Sequence, residues 1–163
     1  MTILMTKVHD GLEQGGIAYR EMECDPALAD TAAFCEHYNF ALGQSANAIL
    51  VAGKADPKRF ACCIVLATTR LDVNKAVCKQ MGVKRASFAN GEQTQELTGM
   101  EIGGVTPFGL PADIPVYIDA AVMEQTEVIM GGGNRSSKVV LDPQELTKLP
   151  NAAVVENLAK PAA

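Results

Sequence analysis

The sequence predicts a mixed α+β fold, in which about seven strands form a curled sheet that helices cover. Hydrophobic residues make up 48% of the chain, which is ordinary for a globular protein. Short apolar runs of strand length occur between stretches with helical spacing, but in irregular order. Because a strict alternation of strands and helices is missing, a doubly wound parallel sheet is not expected.

The chain length of 163 residues predicts one domain, over residues 1–159, followed by a loose tail at 160–163. The longest apolar runs, at 48–52 and 60–67, are much shorter than the about 18–20 residues that a membrane span needs. Residues 1–10 also lack the apolar core of a signal peptide. We therefore expect a soluble, cytoplasmic protein without a membrane partner.

The five cysteines predict buried free thiols. Their number is odd and no two are spaced as in a C-x-x-C motif. Cys62 and Cys63 are adjacent, so they should point to opposite faces of a strand. Only His9 and His37 could complete a zinc site, and the spacings fit no known ligand pattern. We expect neither a metal ion nor a cofactor.

The first half of the chain predicts two helices and three strands. The first helix, at 2–14, ends at a pair of glycines, and a strand follows at 17–23. The second helix, at about 28–38, should bury an apolar stripe, formed by Leu28, Ala32, Cys35 and Leu42. Two strongly apolar segments, 47–53 and 60–68, then predict a pair of buried strands joined by a turn at 54–57.

Helix caps organise the prediction for the second half. Asp72 should cap a helix that runs to residue 81, and Asn90 with Gln93 forms a capping box for a short helix that ends at Gly99. Asp142, Pro143 and Glu145 give three start signals for a last helix, which Pro150 ends. The remaining strands are predicted at 84–88, 116–118, 127–130 and 138–141.

The segment 103–109, Gly-Gly-Val-Thr-Pro-Phe-Gly, is a candidate ligand loop. Its glycines admit positive φ and leave backbone groups uncovered, while Pro107 fixes its own φ. A rigid loop with bare amides and carbonyls suits a small polar ligand or an oriented water molecule. An ordinary turn is the alternative.

A second glycine run, Gly131 to Gly133, precedes Asn134 and Arg135. Three glycines at a strand end indicate either a loop that approaches another segment closely or a flexible hairpin tip. The run lacks the pattern of a Walker loop. Nothing in the sequence indicates a Ser/His/Asp triad, and His37 falls within a helix. A hydrolase built from this chain would act without the usual side-chain base.

The net charge of −5 means that a nucleic-acid partner would have to meet local groups of cations. The alternative interpretation of such groups is a solvated surface of mixed charge. They occur at four places along the chain: Lys54, Lys58 and Arg59; Lys75 and Lys79; Lys84 and Arg85; Arg135 and Lys138.

At this point the motifs resemble a known family. Residues 97–99, Leu-Thr-Gly, followed by the loop at 103–109, look like the LTG…GGxSPxG stretch of the YbaK/EbsC/ProX family, which includes the editing insertion of bacterial prolyl-tRNA synthetase. Further similar pieces follow the family order and cover nearly the whole chain: 24–27, Cys-Asp-Pro-Ala; 70–75, Arg-Leu-Asp-Val-Asn-Lys; 116–119, Val-Tyr-Ile-Asp; and 132–135, Gly-Gly-Asn-Arg.

The resemblance implies a mixed α/β fold with a barrel-like sheet and an aminoacyl-tRNA deacylase. Such an enzyme removes a small wrong amino acid, such as alanine or cysteine, most often from the proline tRNA. It implies that loop backbone groups hold the terminal adenosine and the ester, and that water reacts with help from the substrate's own ribose hydroxyl. The tRNA acceptor end is the implied partner, and an aminoacyl-tRNA synthetase is a second candidate.

The site residues carried over from the resemblance form two groups. The catalytic candidates are Asn47, Gly103, Gly104, Val105, Thr106 and Pro107. The substrate-binding candidates are Ala46, Ala48, Phe108, Gly109, Asp119, Gly132, Gly133, Asn134 and Arg135.

One position departs from the family pattern, because Asn47 stands where the family usually has a lysine. Asparagine donates hydrogen bonds but does not neutralise a phosphate. Three interpretations remain open: an editing enzyme of divergent specificity, a module that binds an aminoacyl or adenosine group without turnover, and a different hydrolase or structural protein, which the acidic net charge favours.

Overall fold

The computed structural model describes residues 2–55 and 57–162. Its α-helices, in chain order, are α1 (Thr6–Gln14), α2 (Thr31–Tyr38), α3 (Cys78–Met81) and α4 (Gly91–Thr98). Its strands are β1 (Arg20–Glu23), β2 (Ala46–Gly53), β3 (Arg59–Leu66), β4 (Thr69–Leu71), β5 (Ala86–Phe88), β6 (Val116–Asp119), β7 (Val128–Gly131), β8 (Ser137–Leu141), β9 (Ala152–Val155) and β10 (Ala159–Pro161). Within these ranges no helix has the length and apolar character needed to cross a membrane.

The strands form three sheets of mixed direction, so the expected mixed α+β class is confirmed. The largest sheet has the order β5-β2-β3-β6-β9, with antiparallel pairs on either side of β2 and parallel pairs on either side of β6. A second sheet has the antiparallel order β1-β8-β7, and β10 pairs with β4. A parallel bridge between Ser45 and Ile129 connects β7 to the start of β2.

Three apolar clusters separate the layers. The largest lies between the two main sheets and is closed by Val8 and Leu12 of α1. The second lies on the opposite face of the five-stranded sheet, under the helical segment at 73–81. In the third, Phe34 and Cys35 of α2 pack against the outer face of the three-stranded sheet. This layering presses α2 against the sheet that carries β7 and β8.

Two predictions about local chemistry are confirmed. All five cysteines are buried free thiols, and Cys62 and Cys63 belong to the clusters on opposite faces of their sheet. The capping box also forms, since Asn90 Oδ1 accepts from Gln93 N at 2.7 Å and Gln93 Oε1 accepts from Asn90 N at 3.0 Å. The turn predicted at 54–57 includes Asp56, which lies outside the described residues.

The helix predicted after Asp142 is wrong in type. Asp142 caps the segment by accepting from Gln144 N, but the segment is a 3-10 helix, Pro143–Lys148. Glu145 does not close a capping box, because its Oε1 accepts from Ala18 N at 2.6 Å and from Lys148 Nζ at 2.8 Å. A long-range contact therefore takes the side chain on which the local signal depended.

Three strands were not predicted. The strands β4, β9 and β10 have three or four residues each and little apolar alternation of their own. Residues placed in the predicted tail contribute to one of them, since Lys160 and Pro161 pair with β4. The segment that follows Asp72 begins as a π-helix, Val73–Val77, before it continues as α3.

The apolar stripe predicted for the second helix is confirmed only at Cys35, which is buried. The helix is shorter than expected, and Leu28 and Leu42 belong to separate 3-10 turns on either side of it. Ala32 is exposed, and Phe34 and Cys35 are the residues that face the sheet. Phe34 thus reaches the space beside β2.

The two glycine runs lie against each other, backbone to backbone. Gly133 N donates to Gly104 O at 2.7 Å, and Glu101 N donates to Gly133 O at 3.0 Å. A Cβ on Gly104 would lie 2.3 Å from Asn134 O, and one on Gly131 would lie 2.4 Å from Gly104 O. Side chains are excluded here because the main chains already touch, so the second run approaches the first rather than forming a free hairpin tip.

The Gly131→Ala variant should be less stable than the natural protein. Because the new methyl overlaps the main chain of Gly104, one of the two loops must shift, and we expect a loss of about 1–3 kcal/mol in the free energy of unfolding. Urea titration measures this loss. Gly43→Ala is the matched control, since the nearest atom to its Cβ is Thr68 Cγ2 at 4.0 Å. Equal stability of the two variants would contradict the close packing.

Candidate functional site

An open cavity of about 320 Å³ lies where β2 and β7 separate. Its walls come from the start of β2, the segment that enters α2, the loop at Gly103 and the end of β7. Small side chains line much of it, and Phe34 and Met130 are among its larger apolar neighbours. Sites for small molecules usually measure about 300–1,000 Å³, so this cavity fits a compact ligand group.

The edge of β2 forms one wall of the cavity. Strand β3 pairs with the whole of β2, whereas β5 covers the other edge only from Val51 to Gly53. Ala89 N donates to Leu50 O, so the main chain of Leu50 faces this second edge. Hydrogen-bonding groups alternate along an antiparallel strand, so Ala48 presents its N–H and C=O to the same edge, beyond the end of β5. The cavity is therefore lined by main-chain donors and acceptors.

Gly103 and Val105 of the glycine loop form the opposite wall. Gly103 has a φ of +92°, which favours glycine, and a Cβ there would lie 2.3 Å from Arg135 Nη1. Gly104 is turned away and touches the second glycine run. The loop thus alternates between facing the cavity and facing its support.

Arg135 anchors this loop to the segment before α2. Its Nε and Nη2 donate to Pro26 O at 3.1 and 2.9 Å, and its Nη1 donates to Ile102 O at 2.8 Å and to Asp30 Oδ1 at 3.2 Å. Its backbone N–H donates to Glu101 Oε2. A planar guanidinium is suited to such a fork of acceptors. Arg135 was predicted to bind substrate, and in the structure these donors bind the carbonyl oxygens of Pro26 and Ile102 and the Asp30 carboxylate.

Asn47 lies on the cavity wall and contacts α2. Its Oδ1 accepts from Thr31 Oγ1 at 3.0 Å. Ala46 and Ala48, its predicted neighbours in the site, also line the cavity. The structure therefore brings these three residues of β2 together with Gly103 and Val105.

Lys138 is a cavity residue that the sequence did not select. It lies on β8, only 8% exposed, and its Nζ donates to Ala29 O at 2.9 Å and to Gly103 O at 3.2 Å. The ammonium also lies 5.2 Å from the centroid of the Phe34 ring. Burial lowers its pKa below the ordinary value of 10.5. Side chains of a strand alternate between its two faces, and this repeat of two residues places Lys138 on the same face of β8 as Val140. Helix α2 covers that face.

The rest of the first glycine loop faces the interior. Thr106, Pro107 and Phe108 are buried and do not line the cavity, and Phe108 belongs to the central cluster. The Thr106 hydroxyl has no hydrogen-bond partner among the residues described. Gly109, with a φ of +81°, abuts α1, because a Cβ at Gly11 would lie 2.6 Å from Gly109 N.

The remaining predicted residues do not line the cavity. Asn134 Oδ1 accepts from Ser136 and Ser137, while Gly132 and Gly133 pack against α1 and the residues just before it. Asp119 ends β6 and accepts from Leu158 N at 3.1 Å. Burial raises the pKa of Asp119, although its backbone hydrogen bonds act in the opposite direction.

Among the residues described, main-chain groups and a glycine loop line the cavity and no histidine does, so its chemistry suits a small polar group. The chain belongs to the aminoacyl-tRNA editing domain family, which it matches over residues 25–149. Members of this family act on aminoacyl-tRNA, and their general class is that of hydrolases.

Two relatives show how far the likeness extends. The uncharacterised protein YwhH of Bacillus subtilis is 30% identical over 140 residues, which cover 86% of this chain and 85% of that protein. EbsC of Enterococcus faecalis, which carries the provisional name Cys-tRNA(Pro)/Cys-tRNA(Cys) deacylase, is 24% identical over 97 residues, or 60% of this chain and 58% of that one.

Solved structures share the fold. The crystal structure of the hypothetical protein APE2540 has a TM-score of 0.84 at 21% identity and covers 94% of this chain and 99% of its own. A crystal structure described provisionally as a trans-editing enzyme for prolyl-tRNA synthetase has a TM-score of 0.83 at 24% identity and covers 99% of both chains.

Replacing Arg135 by lysine should loosen the wall at Gly103. Lysine cannot reproduce a fork that serves Pro26, Ile102 and Asp30 together, so we expect a stability loss of about 1–3 kcal/mol. Amide hydrogen exchange at Gly104, whose N–H donates to Glu101 O, should also accelerate. Arg20→Lys is the control, since the side chain of Arg20 makes one exposed ion pair with Glu127. An Arg135→Lys protein with the exchange rates of this control would argue against the anchoring role.

Proposed function

We propose that this protein is a trans-editing deacylase, which hydrolyses the ester of a tRNA that carries a wrong, small amino acid. The proline tRNA is the favoured substrate. Family membership supports the general reaction, and the provisional names of EbsC and of the trans-editing structure support the substrate class. The observation that carries the proposal is the cavity between the free edge of β2 and Gly103.

The cavity walls favour a small aminoacyl group. Ala29, Ala46, Ala48 and Ala89 contribute single methyl groups, and the volume of about 320 Å³ is at the low end for small-molecule sites. A hydrophobic pocket discriminates one methylene by only about 1–3 kcal/mol. Selection must therefore be shared with recognition of the tRNA or with the synthetase that charged it.

The chemistry needs little from side chains. Asp30 is the one carboxylate lining the cavity among the described residues, and its side chain is 74% exposed and paired with Arg135. An aminoacyl ester is already activated towards water, so orientation and polarisation by backbone groups are sufficient in principle. Water adds to the carbonyl carbon, the bond to the ribose oxygen breaks, and that oxygen leaves with a proton.

The tRNA should approach from the side of β5. Near Gly103 the exposed charges include the acidic Asp30 and Glu101, which do not attract phosphates. Ala89 lines the cavity, and the chain before it carries Phe88, 57% exposed, and the exposed Arg85 and Lys84. Lys54 N donates to Arg85 O, which places a further exposed lysine there. We name these residues the β5 track: Lys54, Lys84, Arg85 and Phe88.

The β5 track has the two features of a surface that binds single-stranded nucleic acid. An exposed aromatic ring offers a stacking surface to a base, and nearby cations meet phosphates. Four steps of extended chain lead from Ala89 to Arg85, or about 13 Å. A tRNA end whose last nucleotide occupies the cavity would thus pass Phe88 before its phosphates reach the cations. These local cations can meet tRNA phosphates although the net charge of the chain is −5.

The alternative function is binding without turnover, and the specific observation in its favour is Asn47 at the family's lysine position. Such a module would hold an aminoacyl-adenosine group in the same cavity. Hydrolysis by the natural protein separates the two functions.

We expect purified protein to discharge at least one tRNA in a panel of mischarged tRNAs, at more than ten times the rate in buffer, with no added metal or cofactor. The assay follows loss of the labelled amino acid from tRNA. Gly103→Ala should be nearly inactive, because its methyl would displace the loop at a φ of +92°. This variant also controls for contaminating host deacylases.

Asn47→Lys provides the discriminating variant, with Asn151→Lys, on the exposed surface, as its matched control. If only Asn47→Lys hydrolyses the ester, the natural protein is a binding module. If neither the natural protein nor Asn47→Lys discharges any tRNA, the deacylase proposal fails.

Neutralising the β5 track should weaken recognition of tRNA and not the chemical step. The double variant Lys84→Gln/Arg85→Gln, and separately Phe88→Ala, should raise KM for charged tRNA by roughly tenfold while kcat is kept, because phosphate and stacking contacts lie outside the cavity. The dependence of KM on salt should become less steep in the double variant.

Lys148→Gln is the control for this charge change, since Lys148 lies on the 3-10 helix Pro143–Lys148 and pairs with Glu145. Hydrolysis of an aminoacyl-adenosine without a stem should be unaffected by the double variant. An unchanged KM for tRNA would show that the tRNA takes another path.

A further inference from the structure

Lys138 is an unusual residue for its place in the fold. It lies in a strand whose five residues are all buried, and only 8% of its surface is exposed. Lysine is almost never fully buried unless it is paired. Yet no carboxylate of the described residues lies within ion-pair distance of its Nζ, and Asp30, the nearest in charge effect, is paired with Arg135 instead.

The ammonium group has one donor left over. Two of its three N–H bonds point to carbonyl oxygens, those of Ala29 and Gly103. Both carbonyls belong to segments that line the cavity, as does Lys138 itself. The two hydrogen bonds fix the nitrogen beside Gly103, and the cavity is the open space next to it.

Stability alone does not explain this charge. Burial of an ammonium group without a counter-ion is costly, and apolar side chains of similar volume generally serve a core better. Val140, two residues along on the same face of β8, shows that an apolar side chain fits under α2. The Phe34 ring, 5.2 Å away, offers only a partial compensation.

Lys138 and Asn47 reach the same short segment of chain. Lys138 Nζ donates to Ala29 O, while Asn47 Oδ1 accepts from Thr31 Oγ1. Residues 29 and 31 are separated by two steps of the chain, or at most about 7 Å. The position that carries lysine in the resembling family and the lysine of β8 therefore face one cavity from neighbouring points.

We propose that Lys138 supplies the positive charge of the cavity in place of a lysine at position 47, and that its free N–H binds an anionic oxygen of the substrate. This inference rests on the proposed function. The oxygen is either the carbonyl oxygen, which takes up the electron pair of the C=O bond when water adds to the ester, or a phosphate oxygen of the terminal nucleotide. In the first case the pair returns when the bond to the ribose oxygen breaks, so Lys138 is unchanged at the end.

The test compares Lys138→Met, Lys138→Arg and the double variant Asn47→Lys/Lys138→Met, with Lys148→Met as the control for an exposed lysine. Each acts on the charged tRNA that the natural protein discharges fastest. Lys138→Met should lower kcat/KM by about a hundredfold or more, which is the effect of losing one oxyanion donor. In Lys138→Arg and in the double variant, a substantial part of the lost kcat/KM should be recovered.

The kinetic constants distinguish the two oxygens. Loss in kcat with KM unchanged assigns Lys138 to the carbonyl oxygen, whereas a raised KM with kcat kept assigns it to the phosphate. A Lys138→Met protein within threefold of the natural one in both constants would overturn the inference. A folded Lys138→Met protein whose loss the double variant fails to recover would point to a structural tie between Ala29 and Gly103, and would also overturn it.

The pH dependence of activity distinguishes a role of the Lys138 charge from a purely structural contact between Lys138 and the carbonyls of Ala29 and Gly103. Because burial lowers the pKa of Lys138, its charge is lost as pH rises through that lowered value, and activity should fall there. The titratable and charged groups around it are Cys24 and Cys35, Arg135 and Asp30. Lys138→Arg should keep its activity to higher pH, because arginine stays charged.

Observing the Lys138 resonance directly tests the inference without requiring turnover. In protein labelled with 15N at lysine Nζ, adenosine 5′-monophosphate is added to the natural protein and to Asn47→Lys. A shift of the Lys138 resonance and a rise of its pKa are expected, and their absence together with absent turnover would overturn the inference. If the natural protein discharges no tRNA but the resonance shifts, the proposed function fails while the anion site stands.

Discussion

The site depends on the contact between two glycine runs. Gly104 and Gly131 bring two main chains closer than any side chain would allow, and the hydrogen bond from Gly133 N to Gly104 O holds them there. This contact directs Gly103 and Val105 towards the space beside β2. Because β5 covers the edge of β2 only from Val51 to Gly53, that space remains open, and the main chain of Ala48 faces it.

The proposed reaction does not require a catalytic triad at this site. Its donors and acceptors belong to a strand edge and a loop, so they are held by the fold rather than by flexible side chains. Arg135 joins the loop to the entry of α2, and α2 in turn brings Phe34 and Thr31 to the cavity. The contacts that stabilise the fold therefore also hold the walls of the proposed substrate site in place.

Much of the fold followed from local sequence signals. Neighbouring residues alone specify several features: the capping box at Asn90, the paired apolar segments that became β2 and β3, and the free cysteines. The short strands β9 and β10 did not follow, because their pairing with β6 and β4 is long-range and their own alternation is weak. Glu145 shows the same limit, since a contact with Ala18 replaced its local role.

The site itself was predictable only in part. Ala46 to Ala48 and Gly103 were selected through the family resemblance, whose motifs each span a short stretch of sequence, and they line the cavity. Thr106 and Phe108 belong to the same motif, yet they face the interior, since a tight loop turns successive residues in different directions. Lys138 comes from a distant strand, and only the face that α2 covers reveals that its charge is buried.

The central claim is that the cavity beside β2 holds the aminoacyl end of a tRNA. A crystal structure of the protein with an adenosine whose 3′ amino acid is attached through an amide, which water does not cleave, tests it most directly. The account predicts that the amide lies between Ala48 and Gly103, within about 3 Å of main-chain donors or acceptors. An analogue bound elsewhere on the protein, with this cavity empty, would contradict it.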